Sequence, residues 1–171
     1  LSLVFSNIRS ANNIKRTIRK IANKYKAGLG FRYLKGFLGD SILNSSIKEF
    51  YQKNETKIIS SSEFQKILSS KTDKDIDWFF NDYIKTNKKI DYTIDHVNVK
   101  EDSLEITIKN KRNITTPVLL YGLKDKEIKY KKWFTNIETS KTVTIPKKDF
   151  NKVSLNYENI YPELNTLDNW K

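Results

Sequence analysis

The sequence has no cysteine, no methionine and a single histidine among its 171 residues. Without cysteine there are no disulfides, no thiolate zinc sites and no cysteine nucleophiles, although this absence suits either a reducing or an oxidising compartment. One histidine is too few for a typical metal site, which needs several His, Cys or carboxylate ligands at regular spacing. It also leaves a single candidate base for a nucleophilic triad, and no Gly-x-Ser-x-Gly elbow is present. No complete active site of these kinds can be read in the sequence.

Long apolar runs and glycine-rich phosphate loops are also missing. The longest apolar candidate, Leu-Ser-Leu-Val-Phe at the start, is far shorter than the ~20 residues that span a bilayer. The Gly-Leu-Gly sequence at residues 28–30 lies within a helical pattern, without the preceding strand and the following Lys-Ser/Thr of a phosphate loop. We therefore expect neither a membrane span nor a nucleotide phosphate site.

Acidic residues are absent before Asp40, and the charge is unevenly distributed. Residues 1–89 carry 18 Lys and Arg against 8 Asp and Glu, whereas residues 90–171 carry 14 against 12. With 37% hydrophobic and 12% aromatic residues, the chain has enough apolar surface to fold as one domain or two small ones. Because it begins at Leu1 and contains no methionine, we expect it to be a piece of a longer protein.

The first half has the periodicity of amphipathic helices. From Ser10 onwards apolar side chains recur every three or four residues, which predicts one long helix that Gly39 ends. Asp40 is a suitable N-cap for a second helix through residue 53. The Ser-Ser-Ser-Glu-Phe-Gln-Lys-Ile-Leu-Ser-Ser segment then predicts a short third helix that buries Phe64.

A fourth predicted helix contains an aromatic cluster with four aromatic side chains among ten residues, 75–84. Thr72 and Asp75 have the spacing of a capping box that would open this helix. At 100° per residue, the apolar side chains cover too much of the helix surface for a single stripe. We therefore expect the cluster to be buried on two sides, at a junction between elements.

After residue 89 the pattern changes from helical to alternating. Tyr92, Ile94 and His96 are predicted to share one face of a first strand, and five further short strands follow with turn residues between them. A structural or surface role is predicted for His96. The predicted fold class is α+β, with a helical part at residues 1–88 followed by a small antiparallel, Ig-like β-sandwich at residues 89–171.

The first helix is basic enough to be considered as a nucleic-acid binder. However, its basic side chains are spread around the helix wherever isoleucine is absent, which is typical of a solvated face, and no binding motif accompanies them. A nucleic-acid partner is therefore the less favoured interpretation. The residues that would form the positive ridge are Lys15, Arg16, Arg19, Lys20, Lys24 and Lys26.

Four segments follow one another in a recognisable order. They are YKAGLGFRYLKGFLGD at residues 25–40, DIDWFFNDYIKTNKKIDYTI at 75–94, ITTPVLL at 114–120 and YPELNTLDNW at 161–170. Together they resemble the C-terminal region of zinc aminopeptidases of the aminopeptidase-N and leukotriene-hydrolase family, in the form found in Bacteroidetes-type bacteria. The resemblance covers about residues 23–171.

The resemblance implies that Trp78, Phe79 and Phe80 cover the junction where the β-sandwich joins the helical part of a catalytic domain. It implies a peptidase in which a zinc-bound water attacks a peptide carbonyl while a glutamate transfers the proton. The family's His-Glu-x-x-His zinc motif is absent from this chain. The zinc cofactor is therefore implied for a longer parent protein, and none is expected in this chain.

The family's catalytic tyrosine, which hydrogen-bonds the developing oxyanion, has two candidate positions here. Counting back without gaps from Leu38, Gly39 and Lys26 places it on Lys24, with Tyr25 one residue later. Tyr25, the tyrosine next to that position, is the candidate catalytic residue, and Lys24 is the alternative register. The implied partners are the remainder of the parent catalytic domain and a peptide substrate, and family habit favours a periplasmic or extracellular location.

A second interpretation belongs to a different functional class. The chain would be a non-enzymatic interaction module, or a degenerate peptidase relative, that uses its basic helical half to bind an acidic partner or nucleic acid. Sequence upstream of Leu1 distinguishes the two, because a His-Glu-x-x-His motif there favours the enzyme.

Overall fold

The computed structural model of the protein describes residues 25–53 and 60–171. The predictions for the helix before residue 25 lie outside these residues. They include the alternative catalytic position Lys24 and all of the predicted basic ridge except Lys26.

The first described helix, α1, covers residues 25–38 and is followed directly by α2, Asp40–Lys53. Gly39 separates them with φ of 93°, a left-handed conformation that glycine adopts without the steric penalty of a Cβ. The prediction that Gly39 ends the first helix is confirmed. Asp40 is the first residue of α2 rather than its N-cap, and its carboxylate lies 3.0 Å from Lys35 Nζ.

The third helix, α3, is Ser61–Ser69 and begins with a capping box that the sequence analysis did not assign. The Ser60 hydroxyl accepts from Glu63 N, and the Glu63 carboxylate accepts from Ser60 N. This reciprocal pair satisfies two backbone N–H groups at the helix start. The expected short third helix with Phe64 buried is confirmed.

The predicted capping box of Thr72 and Asp75 is wrong. Thr72 Oγ1 accepts from Lys74 N at 3.2 Å, and Asp75 Oδ1 accepts from Asp77 N at 2.8 Å. Each side chain thus accepts a hydrogen bond from the backbone N–H two residues later. Ser, Thr and Asp often form such local turns in place of a helix cap. The helix that follows starts later than predicted.

That last helix is a π-helix, Trp78–Ile84, rather than the α-helix that the sequence predicted. A π-helix forms i→i+5 hydrogen bonds and is often found at functional sites. Four of its seven side chains are buried, namely Trp78, Phe79, Phe80 and Tyr83, so the expected burial of the aromatic cluster is confirmed. None of the helices in the two described stretches is long and apolar enough to cross a membrane.

Two three-stranded antiparallel sheets follow the helices. The first sheet contains, in spatial order, β1 (Tyr92–Val99), β2 (Ser103–Asn110) and β5 (Ser140–Pro146). The second contains β4 (Glu127–Phe134), β3 (Val118–Lys124) and β6 (Lys152–Leu155). The chain therefore crosses between the sheets three times, after β2, after β4 and after β5. The fold class is therefore confirmed as α+β with a sandwich-like arrangement, while the division at residues 88 and 89 into two domains stays a prediction.

The predicted alternation of β1 holds only for its first half. Tyr92 and Ile94 are buried as expected, but the pairing register with β2 shifts between Ile94 and His96. Such a bulge reverses which side chains face the core, so His96 is exposed and Val97 packs against the core instead. The prediction that His96 shares a face with Ile94 is wrong.

An aromatic cluster joins α1 to the second sheet. Tyr33 of α1 is fully buried, with its ring centroid 4.6 Å from Tyr161 and 5.8 Å from Trp133. The Trp133 indole also donates to Gly36 O at 3.0 Å. Trp78 packs against Tyr33 from the helical side, with centroids 4.5 Å apart. Tyr33 therefore contacts Trp78 on the helical side and Trp133 and Tyr161 on the other side.

Candidate functional site

A groove of about 540 Å³ lies where three parts of the chain meet. The start of α1, the segment from Tyr83 to Ile90, and residues 162–164 line it. We call it the lysine groove, after Lys26, Lys88 and Lys89 in its lining. Its volume is within the ~300–1,000 Å³ range of pockets that hold small ligands.

Tyr25, the candidate catalytic residue from the sequence, lies in the wall of this groove. Its side chain is 71% exposed, and its hydroxyl has no hydrogen-bond partner in the described part of the chain. The alternative, Lys24, lies outside the described residues. The catalytic role of Tyr25 therefore stays a prediction.

Lys26 and Tyr83 fix α1 to the end of the π-helix. Lys26 Nζ donates to Thr86 O at 2.5 Å, and the Tyr83 hydroxyl donates to Lys26 O at 3.0 Å. The Lys26 ammonium also lies 5.7 Å from the centroid of the Tyr83 ring, within the range of a cation–π contact. Burial raises the pKa of Tyr83 to about 12, so this phenol stays a neutral donor at physiological pH.

The three lysines of the groove differ in their partners. Lys88 Nζ lies 2.6 Å from Asp82 Oδ1 and is therefore paired. Lys89 is exposed and has no ion-pair partner among residues 25–53 and 60–171. Burial lowers the pKa of Lys26, and the nearby positive charge of Lys89 lowers it further. The groove thus contains two neighbouring cations that no described carboxylate neutralises.

Glu163 closes the third side of the groove and fixes the C-terminal segment to β1. Its carboxylate accepts from Tyr92 N at 2.9 Å, from Asn169 Nδ2 at 2.8 Å and from Asn156 Nδ2 at 3.4 Å. Burial raises the pKa of Glu163 from 4.5 to about 7, although these three donors lower it. The negative charge of Asp91 also raises the pKa of Glu163. Glu163 is thus a titratable group placed at the junction of the two halves.

The described residues do not form the zinc site that the sequence resemblance implies. They contain no group of three or more His, Cys, Asp or Glu side chains that could hold a metal ion. Glu163 of the groove accepts hydrogen bonds from three donors, and Asp82 is paired with Lys88.

Sequence reasoning found Tyr25 but did not assign Lys89, Tyr83 or Glu163 to the same site. Their meeting depends on a long-range contact, since Leu164 N donates to Ile90 O at 2.9 Å and so carries residue 163 to the start of β1. No local periodicity encodes this contact. In the sequence, Glu163 could have been found through the Pro-Glu-Leu-Asn segment at residues 162–165. That segment is part of the family resemblance, but the resemblance gave its glutamate no role.

Comparison with known proteins gives a match in structure but not in sequence. No protein-family model and no curated protein matches this chain. An aminopeptidase A from Legionella pneumophila, solved in complex with aspartic acid, is similar to it with a TM-score of 0.65 and 17% sequence identity. The match covers 81% of this chain and 17% of the aminopeptidase chain. The chain therefore has a fold related to part of an aminopeptidase, and it spans less than a fifth of that protein's length.

Proposed function

We propose that this chain is the C-terminal portion of a zinc metallopeptidase of the aminopeptidase type and that it is not catalytic on its own. The observation that carries the proposal is the structural match of 81% of this chain to 17% of an aminopeptidase chain. The ordered sequence segments that resemble the aminopeptidase-N and leukotriene-hydrolase family support it independently.

In the proposed parent, a zinc ion held by residues outside this chain would supply the Lewis-acid chemistry for peptide hydrolysis. This chain contributes the end of the helical part and the sandwich that packs on it through Tyr33 and Trp133. The remainder of the catalytic domain is the partner that we propose for this chain. We also propose a periplasmic or extracellular location, on the strength of the sequence resemblance alone.

Within this proposal Tyr25 is the candidate for the phenol that stabilises the oxyanion, with Lys24 as the alternative. Losing one oxyanion donor typically lowers turnover by ~10²–10³. If Tyr25 has this role, Tyr25→Phe in the full-length gene product lowers kcat with little change in KM, which marks an interaction made mainly in the transition state. If Lys24 occupies the position, Tyr25→Phe has little effect and Lys24→Tyr raises kcat.

The second candidate function is a non-enzymatic module that binds an acidic partner. The observation that favours it is the pair of lysines, Lys26 and Lys89, that no described carboxylate neutralises. The two functions differ in their requirement for the rest of the parent, because a module needs only the residues of this chain.

The deciding experiment compares this chain with the full-length gene product. We expect the gene product to contain a His-Glu-x-x-His motif upstream of Leu1 and to hydrolyse aminoacyl reporter substrates in a chelator-sensitive manner. This chain alone is expected to hydrolyse none. A gene product without that motif and without peptidase activity contradicts the proposal and favours the interaction module.

A further inference from the structure

Lys26 and Lys89 bring two positive charges together at one groove without a matching negative charge. Their mutual influence is visible in Lys26, whose pKa is lowered by burial and then by Lys89. The groove carboxylate Glu163 is held by three other donors, and Asp82 is paired with Lys88. The sequence before Asp40 contains no acidic residue. An anion from outside the described structure would therefore relieve a repulsion that the groove itself does not compensate.

Apolar side chains in the same groove stay in contact with solvent. Leu29 is 38% exposed and Leu164 is 54% exposed, although the neighbouring Ile90 is buried. Single exposed apolar side chains are common, but here they share a concave site with two lysines that have no carboxylate partner among the described residues. The groove therefore has one region suited to a charged group and another suited to an apolar side chain.

We propose that the lysine groove binds a peptide segment that carries an aspartate or glutamate, with the carboxylate held by Lys26 and Lys89 and an adjacent apolar side chain against Leu29 and Leu164. The inference rests on the second candidate function, binding of an acidic partner, and it does not depend on the peptidase role, because all of these residues belong to this chain. It also states which residues would bind an acidic partner and which part of the partner they would bind.

The shape of the groove favours a peptide over a nucleic acid. A volume of about 540 Å³ suits a short segment of a few residues. Nucleic-acid binding instead relies on an extended line of Lys and Arg that follows successive phosphates. The aliphatic side chains next to the lysines can pack against a leucine-like side chain, whereas they make no favourable contact with a phosphate backbone.

The test uses two blocked tripeptides that differ only in charge, Ac-Leu-Asp-Leu-NH2 and Ac-Leu-Asn-Leu-NH2. Binding to this chain is measured by NMR titration at low and at high salt. We expect the aspartate peptide to bind about 10-fold more tightly than the asparagine peptide at low salt. This ratio corresponds to a difference in binding free energy of about 1.4 kcal/mol. Salt is expected to reduce this preference. The shifted amide signals should belong to the lysine groove.

Variants distinguish a specific site from general attraction to a basic protein. Lys89→Gln is expected to abolish the preference for aspartate, and Lys89→Glu to shift the preference towards Ac-Leu-Lys-Leu-NH2. Lys85→Gln is the matched control, because it removes the same charge from a nearby lysine that bonds to Asn81 outside the groove. It should leave the preference unchanged.

Three outcomes overturn the proposal. They are equal binding of the two peptides, an equal loss of preference in the Lys85→Gln control, and tighter binding of a single-stranded oligonucleotide at the same lysines. Because the test uses this chain alone, its result is separate from that of the peptidase assay. An inactive gene product would leave the peptide result intact, and failure to bind the peptide would leave the peptidase proposal intact.

Discussion

Replacement of Glu163 by glutamine should change how the stability of the chain depends on pH. The folded state holds the proton of Glu163 up to a pKa of about 7, whereas the unfolded state releases it near 4.5. The unfolded state therefore binds fewer protons between these values, and the free energy of unfolding falls as pH rises through this window. Below pH 4.5 the contribution is fully present, and above about pH 7 it is lost.

The size of the effect follows from the shift in pKa. One pKa unit corresponds to ~1.4 kcal/mol, so the rise from 4.5 to about 7 corresponds to about 3 kcal/mol in total. Of this, about 2 to 3 kcal/mol is lost between pH 5 and pH 8. Glutamine has nearly the same shape as glutamate but cannot ionise. The Glu163→Gln variant should therefore lack this part of the pH dependence.

The assay is denaturant unfolding followed by tryptophan fluorescence at pH 5, 6, 7 and 8. We expect the unmodified chain to lose about 2 to 3 kcal/mol more than Glu163→Gln across this range, with the largest difference between them above pH 7. Carboxylates with a lowered pKa, such as Glu49 with a pKa of about 2, titrate below this window and affect both proteins alike. Parallel stability profiles for the two proteins would show that Glu163 does not hold its proton as argued.

Two further predictions concern packing and are measured by the same unfolding assay. Trp78→Ala should destabilise the chain by ~3–5 kcal/mol, as loss of a large buried aromatic side chain does. It should also accelerate proteolysis near Asn87. An unchanged free energy of unfolding would contradict the structural role given to the π-helix. Gly30→Ala should destabilise by ~1–3 kcal/mol because its Cβ would lie 2.5 Å from Tyr83 Cε1. Gly28→Ala is its control, since no atom lies within 4 Å of the new methyl group, and it should stabilise α1 by ~0.5–1 kcal/mol. Equal effects of the two glycine changes would refute the close contact.

The features predictable from the sequence are those that neighbouring residues determine. Gly39 marks the end of α1 because only glycine adopts its conformation without strain. In β2, Leu104, Ile106 and Ile108 are all buried, as strict alternation predicts for a half-buried strand. Each of these features follows from a few adjacent positions.

The sequence-based predictions fail where two local hydrogen-bonding patterns compete or where distant segments of the chain meet. Thr72 and Asp75 have capping-box spacing, but each side chain bonds two residues ahead instead, so the spacing alone misleads. The bulge before His96 depends on pairing with β2 and leaves no mark in the alternation itself. The groove forms only when residue 163 reaches the start of β1, a contact between positions more than 70 residues apart.

The central claim is that this chain is part of a zinc enzyme whose metal ligands lie elsewhere in the parent protein. Metal analysis of dialysed samples tests it most directly, by measuring zinc per polypeptide in this chain and in the full-length gene product. We expect close to one zinc per polypeptide in the gene product and none in this chain, because one histidine and no cysteine leave too few ligands. One tightly held zinc in this chain, or none in the gene product, would contradict the account.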